Sequence, residues 1–277
     1  MGMFLFISQF LKLKNRNVPI ILLLISVILF SFSRGICAEV DSSFWETEKS
    51  QHFIIYYQDD TTGFVKELIY QAENYYNSIV NDLGFRRFDF WSWDNRAKIY
   101  LYKSSSDYHK DTDRMAWSAA SVSVKTRTIK TYTGQDKFFD SILPHEMTHI
   151  IFREFIGLKK QLPLWLDEGI ACSQETTALV SRLGLARNLI QQDSYLKFNK
   201  LFDIHGDSLI VPDIFYAESA SIIAFLLNKY DKELFLDFSQ KLRDGIKWDE
   251  ALLKTYHFAN FEEMEAAWKD FMLRVKG

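Results

Sequence analysis

The spacing of apolar and polar residues divides the chain into two unlike halves. Gln51–Tyr57 (QHFIIYY) is rich in aromatic and β-branched residues and predicts a strand. Between Gly63 and Leu83 the apolar residues Val65, Leu68, Ile69, Ala72, Tyr75, Tyr76, Ile79, Val80 and Leu83 recur at helical spacing. That predicts an amphipathic helix, stopped by Gly84. Lys98–Tyr102 (KIYLY) predicts a second strand, and Ser121–Tyr132 carries further strand material, alternating from Thr126 onward. From Phe138 the period turns helical, with helices expected over Ser219–Tyr230, Lys232–Arg243, Trp248–Tyr256 and Phe261–Val275. The pattern is that of an α+β fold. A mixed α/β front half with a small sheet leads into a mostly helical back half, without internal repeats.

The N-terminus stands apart from both halves. Lys12, Lys14 and Arg16 precede an apolar run from Val18 to Phe32, and small residues follow to Ile36-Cys37-Ala38. That order is the pattern of a secretory signal, with cleavage expected after Ala38. The run falls short of the roughly 20 residues that span a bilayer, and Pro19 shortens it further. An uncleaved membrane anchor stays open as the alternative, because Ile36 is not ideal at the minus-three position and Met3–Leu11 is also apolar. Either way the rest of the chain is expected outside the cytoplasm: periplasmic, secreted or tethered to a membrane. The expected organisation is a leader over 1–38 and one domain over 39–277. The domain divides into an α/β lobe over 39–157 and a helical lobe over 158–277.

Composition narrows the partners. Formal net charge is -3, which gives no basic footprint for nucleic acid. There are 2 cysteines, Cys37 in the leader and Cys172 in a helical stretch. A cysteine-based metal cluster is excluded by count, and Cys172 is expected to be a small core residue.

The chemistry is concentrated in His145-Glu146-Met147-Thr148-His149. Residues four apart share a helix face, so both imidazoles can reach one ion. Glu146 is displaced by about 100° around the axis, so it flanks the metal as a base and does not ligate it. Ile142, Leu143, Ile150, Ile151 and Phe152 predict that this helix is buried. Pro144 is tolerable only if the helix starts or bends close to Ser141. A third ligand follows at Glu168, with 18 residues between it and His149, in Trp165-Leu166-Asp167-Glu168-Gly169-Ile170-Ala171. Its apolar neighbours disfavour an unpaired charge. Two His and one carboxylate leave the fourth position of a tetrahedral zinc ion open for water.

These motifs, HEMTH and WLDEGIA at that spacing, resemble the gluzincin metallopeptidases. The likeness is greatest to the zinc aminopeptidase branch and the related bacterial peptidase MA-like domains. Weaker likenesses extend to Tyr216-Ala217-Glu218-Ser219-Ala220, Trp248-Asp249-Glu250-Ala251-Leu252 and Trp268. The resemblance implies a zincin-like fold, one zinc ion per chain on His145, His149 and Glu168, and Glu146 as catalytic base. It also implies Tyr216 as donor to the reaction's oxyanion, and a peptide or protein as substrate. Tyr216 is expected at or near a helix N-terminus. The chain lacks the Gly-x-Met-Glu-Asn segment with which zinc aminopeptidases grip a free amine. Arg127–Gly134 stands in its region and is expected as an edge strand lining the cleft. His52, His109, His205 and His257 lack ligand spacing and are expected on the surface or in packing. The competing reading is a zincin-fold binding or scaffold module of the cell envelope without turnover.

Overall fold

Buried Phe53, Ile55, Ala97, Ile99, Leu101 and Ile129 form the inner face of a five-stranded sheet. The structure is a computed structural model that describes residues 45–60, 63–86, 88, 91–113, 118–205 and 211–274. The leader and its cleavage site lie outside these residues. The described residues all fall in one compact unit, Trp45–Gly277.

The strands are β1 (Glu46–Lys49), β2 (Phe53–Tyr57), β3 (Ala97–Tyr102), β4 (Ala120–Ser123) and β5 (Thr128–Tyr132). Their spatial order is β1-β2-β3-β5-β4. The three inner strands run parallel, with Ile55 opposite Ile99 and Ile99 opposite Ile129. Both outer strands are antiparallel to their neighbours. The amphipathic helix α1 (Phe64–Asp82) connects β2 to β3 and buries Val65, Leu68, Ala72, Tyr76, Ile79 and Val80. Period-2 alternation and this helical stripe therefore meet in one core, as a parallel β-α-β connection requires. Gly84 ends the helical segment at φ 78, where a Cβ would lie 3.0 Å from the Lys232 carbonyl oxygen.

The stretch 121–132 is not one strand. It breaks at a short 3-10 turn, Val124–Thr126, and Arg127 takes φ 51. The chain thereby folds back as a hairpin, and β5 acquires a neighbour on each side. The expectation that Arg127–Gly134 forms the edge is corrected: the edge strand is β4. Arg127 contributes in another way. Its Nε donates to Glu154 on the central helix, as does Trp91 Nε1 at 2.6 Å, which fastens the hairpin to that helix.

Short α2 (Ser105–Thr112), which the apolar pattern does not reveal, follows β3. The remaining helices are α3 (Leu143–Ile156), α4 (Leu164–Ser173), α5 (Thr176–Gln191), α6 (Phe198–Leu201), α7 (Pro212–Lys229), α8 (Lys232–Arg243), α9 (Trp248–Tyr256) and α10 (Phe261–Arg274). A π-helical turn, Phe138–Ile142, precedes α3, so Pro144 falls in the first α-helical turn, where its missing N–H costs little. Helix α7 begins seven residues earlier than its apolar period suggests, with Pro212 in the first turn and Asp213 beside it. Tyr216 therefore lies in the second turn and not at the N-terminus, a second correction. The small sheet followed by a mostly helical part is the zincin-like α+β arrangement. Among the described residues no helix is long and apolar enough to cross a membrane.

Candidate metal centre

Helix α3 is buried on nearly all sides: Leu143, Met147, Ile150 and Ile151 are fully enclosed. Its half-buried stripe is His145, Glu146, His149 and Arg153. Helix α4 brings Glu168 to this stripe. Gly169, the next residue, lets α4 approach α7 closely, because a Cβ there would stand 2.7 Å from the Ser219 carbonyl oxygen. That close approach also brings Tyr216 of α7 near enough for the Glu168 and His145 charges to act on its hydroxyl.

His145, His149 and Glu168 come together as predicted. His145 Nε2 lies 3.2 Å from His149 Nε2. Glu168 Oε2 lies 3.5 Å from His145 Nε2, and its Oε1 lies 3.9 Å from His149 Nε2. A tetrahedral ion with bonds of about 2.1 Å sets its ligand atoms roughly 3.4 Å apart. The separation of the two imidazoles and those from each to its nearer Glu168 oxygen bracket that value, so the residues fit the ion.

A second trio, His145, Cys172 and Glu175, is also close enough to converge on an ion. It fits less well. Both Glu175 oxygens already accept from Arg182 Nη2, at 3.1 and 3.0 Å, and a cation there would face that guanidinium. Cys172 is completely buried, as a core residue should be, yet its sulfur stands 3.8 Å from His145 Nδ1. Proximity to the centre is a feature its count and spacing do not reveal.

The family model of the peptidase MA superfamily matches residues 95–274. The chain belongs to the peptidase MA superfamily. A search of curated proteins finds no match. The family match covers the sheet from β3 onward, both histidines, Glu168 and every helix from α2 to α10. β1, β2 and α1 precede it. Membership gives a metallopeptidase-type function, and peptidases of this clan are typically zinc-dependent.

In this peptidase MA domain His145 and His149 each have an outer partner. His145 Nδ1 is 2.9 Å from Glu175 Oε1, and Glu175 is held by Arg182. His149 Nδ1 is 3.7 Å from Asp167 Oδ1, an ion-pair distance, and Asp167 receives Arg153 Nε and Nη2 at 2.9 and 2.7 Å. Carboxylates behind ligand imidazoles fix the tautomer and ring orientation. Burial alone would raise the Asp167 pKa, but His149 and Arg153 hold it down at about 2. Burial likewise works against the Glu175 charge, and His145 and Arg182 outweigh it. Burial also works against a charged His145, but the facing Cys172, Glu168 and Glu175 hold its pKa well above the ordinary imidazole range. A metal ion entering here therefore competes with a proton.

Two groups near the centre lack such partners. The Glu146 carboxylate makes no hydrogen bond or ion pair among the described residues. The Tyr216 hydroxyl likewise has no hydrogen-bond partner among them, although the Arg182 guanidinium lies 5.5 Å from its ring centroid. Burial, then the Glu168 and Cys172 charges, raise the Tyr216 pKa, so it stays a neutral donor.

The motif reading misses Asp167, Glu175, Arg153, Arg182 and the edge strand. Arg153 carried a signal, four residues beyond His149 on the same helix face. Glu175 carried a fainter one, seven residues after Glu168, just past the end of α4. Arg182 carried none, since only folding brings α5 back to α4. The other histidines are not brought to the centre. His52, for example, is buried, bonded to Glu73 and stacked on Tyr76.

Proposed function

We propose that this protein is a zinc-dependent peptidase of the gluzincin type, exported by residues 1–38, that cleaves peptide or protein substrates outside the cytoplasm. Its metal ligands are His145, His149 and Glu168. The observation that carries the reading is three ligand residues whose donor atoms lie close to tetrahedral spacing, with the Glu146 carboxylate beside them bonded to no other side chain among the described residues.

A zinc ion at this site supplies a Lewis acid that polarises the scissile carbonyl and acidifies a water molecule. Glu146, one position along α3 from His145, accepts a proton from the attacking water. As the C–N bond breaks it returns that proton to the leaving nitrogen, so the products are a carboxylate and an amine. The Tyr216 hydroxyl donates to the carbonyl oxygen as that oxygen becomes negative. β4 offers the backbone groups on its outer edge to an extended substrate, which would join the sheet as a sixth strand. Val122 and Val124 of the β4 segment line one side of a cleft with His149 and Glu168, and Ala119 and Ala120 line the other with His145 and Glu146. The strand Ala120–Ser123 has no carboxylate to grip a free amine, which argues against strict aminopeptidase action.

The test is hydrolysis of a mixed peptide library by purified protein, read by mass spectrometry. Cleavage should stop with a chelator and return with zinc. Cleavage indifferent to the chelator, or none by the zinc-loaded protein, would overturn the reading.

A further inference from the structure

The cleft has two cavities, one bordered by His149 and Glu168 and the other by His145. The first, of about 390 Å³, is also bordered by Val122, Val124, Lys125 and Leu158, with the paired Arg153 and Asp167 beside them. The second, of about 350 Å³, is bordered by Ser118, Ala120, Ile142 and Glu146. Glu146 borders only the second. A base that returns its proton to the leaving nitrogen stands on the amine side of the scissile bond. The first cavity therefore receives the residue on the acyl side. The direction of β4 agrees, since it runs from the second cavity, at Ala120, to the first, at Val122. A substrate with its acyl side in the first cavity runs opposite to β4, in the antiparallel pairing that is the more stable of the two.

The first cavity is built for an apolar side chain. Val122 and Val124 come to it from the hairpin, and Leu158 from the turn after α3. Leu158 is 49% exposed and both valines are half-buried, so all three leave apolar surface in water that an entering side chain would cover. The charged groups at this cavity are matched. Arg153 gives Nε and Nη2 to Asp167, and its Nη1 donates to the Lys160 carbonyl at 2.7 Å. No buried side-chain nitrogen or oxygen of the lining residues lacks a partner, so none awaits a polar ligand. Lys125 is exposed, and an ion pair to a hydrated ammonium contributes little.

Arg153 also fixes the wall. The Lys160 N–H donates to the Gly157 carbonyl at 3.1 Å, closing a tight turn with Leu158 at its tip. The Gly157 N–H donates to the Arg153 carbonyl, and the Lys160 carbonyl accepts from the Arg153 side chain, so one residue holds both ends of the turn. The same side chain holds Asp167 behind His149, which joins the wall to the shell around the metal site.

We propose that this cavity is an apolar specificity subsite, in which Leu158, Val122 and Val124 receive a large apolar side chain, such as that of Leu, from the residue before the scissile bond. This rests on the peptidase reading above and adds to it the side chain that is recognised.

The test uses peptides of one sequence with Leu, Ser or Asp at a single position, read by mass spectrometry. Zinc-loaded protein should cut after Leu about 10-fold or more faster in kcat/KM than after Ser or Asp, the scale on which an apolar pocket discriminates. In Leu158→Ser and in Val124→Ser the Leu-to-Ser ratio should fall by about 3-fold or more as apolar contact is lost, with zinc content unchanged. Binding of N-acetyl-Ala-Leu and N-acetyl-Ala-Ser, the acids that such cuts leave, to zinc-loaded Glu146→Gln should show the same preference by calorimetry, without turnover. Equal cutting after Leu and Ser, or a ratio preserved in both variants, would overturn the subsite and leave the peptidase reading standing. So would a preference carried by the residue after the cut, or one for Asp, which would assign the cavity to Lys125. A binding preference with no cleavage of any peptide would overturn the peptidase reading and leave the subsite standing. Neither cleavage nor a binding preference would overturn both.

Discussion

Glu175, behind the metal ligands, and Glu218, in α7, are both almost completely buried, yet the protein sets their charge in opposite directions. Burial pushes both carboxyls toward the neutral form. At Glu175 the His145 imidazole and the Arg182 guanidinium outweigh burial and hold the pKa below its ordinary value. At Glu218 the Leu196 backbone N–H, at 3.0 and 3.1 Å from its two oxygens, does not offset burial, the Glu265 charge adds to it, and the pKa is pushed up to about 8. Partners therefore decide the charge state here, not depth. The same contrast runs through the centre. On α3 and α4 the side chains proposed to hold the metal and its outer shell are paired. The two groups assigned to proton and charge chemistry, Glu146 and Tyr216, have no ionic or hydrogen-bond partner among the described residues. Paired groups hold position, and unpaired groups act.

Removing an unpaired acting group should cost the most. Glu146→Gln keeps the side-chain shape but cannot accept the water's proton. Turnover should fall by about 10³-fold, within the range for a lost general base, with zinc content unchanged. Wild-type turnover in this variant would move the base elsewhere. Tyr216→Phe removes only a hydroxyl. A fall of about 100-fold in kcat is expected, or roughly 2.7 kcal/mol of transition-state stabilisation, without a change in metal content or melting temperature. Unimpaired turnover would return Tyr216 to packing.

The smallest effect concerns Glu218 and stability. Its folded pKa of about 8 lies above the ordinary 4.5, so between these values the unfolded chain has lost a proton that the folded chain keeps. Its contribution to stability is complete below about pH 4.5 and declines as pH rises toward 8. Glu218→Gln mimics the protonated form and abolishes this decline. The variant should gain roughly 1–3 kcal/mol on wild type between pH 5 and pH 8 in denaturant titrations. Parallel pH profiles would show that Glu218 is not held neutral.

The sequence showed the centre more clearly than its surroundings, for a physical reason. His145, His149 and Glu168 lie on two helices whose periodicity fixes which residues share a face, and α8 and α9 were found with their bounds intact. The hairpin at Arg127 was hidden, because a non-glycine residue at positive φ leaves no mark in an alternating pattern. The start of α7 was hidden because its first two residues, Pro212 and Asp213, are exposed, and period counting sees only apolar stripes. Arg182 depends on where α5 packs, which no local pattern encodes.

The central claim is that His145, His149 and Glu168 hold one catalytic ion, and metal analysis of the purified protein tests it most directly. Wild type should carry one zinc per chain, and His145→Ala with His149→Ala should carry none while retaining helical content by circular dichroism. A wild-type protein without zinc after zinc loading, or a double variant that binds zinc as wild type does, would contradict it.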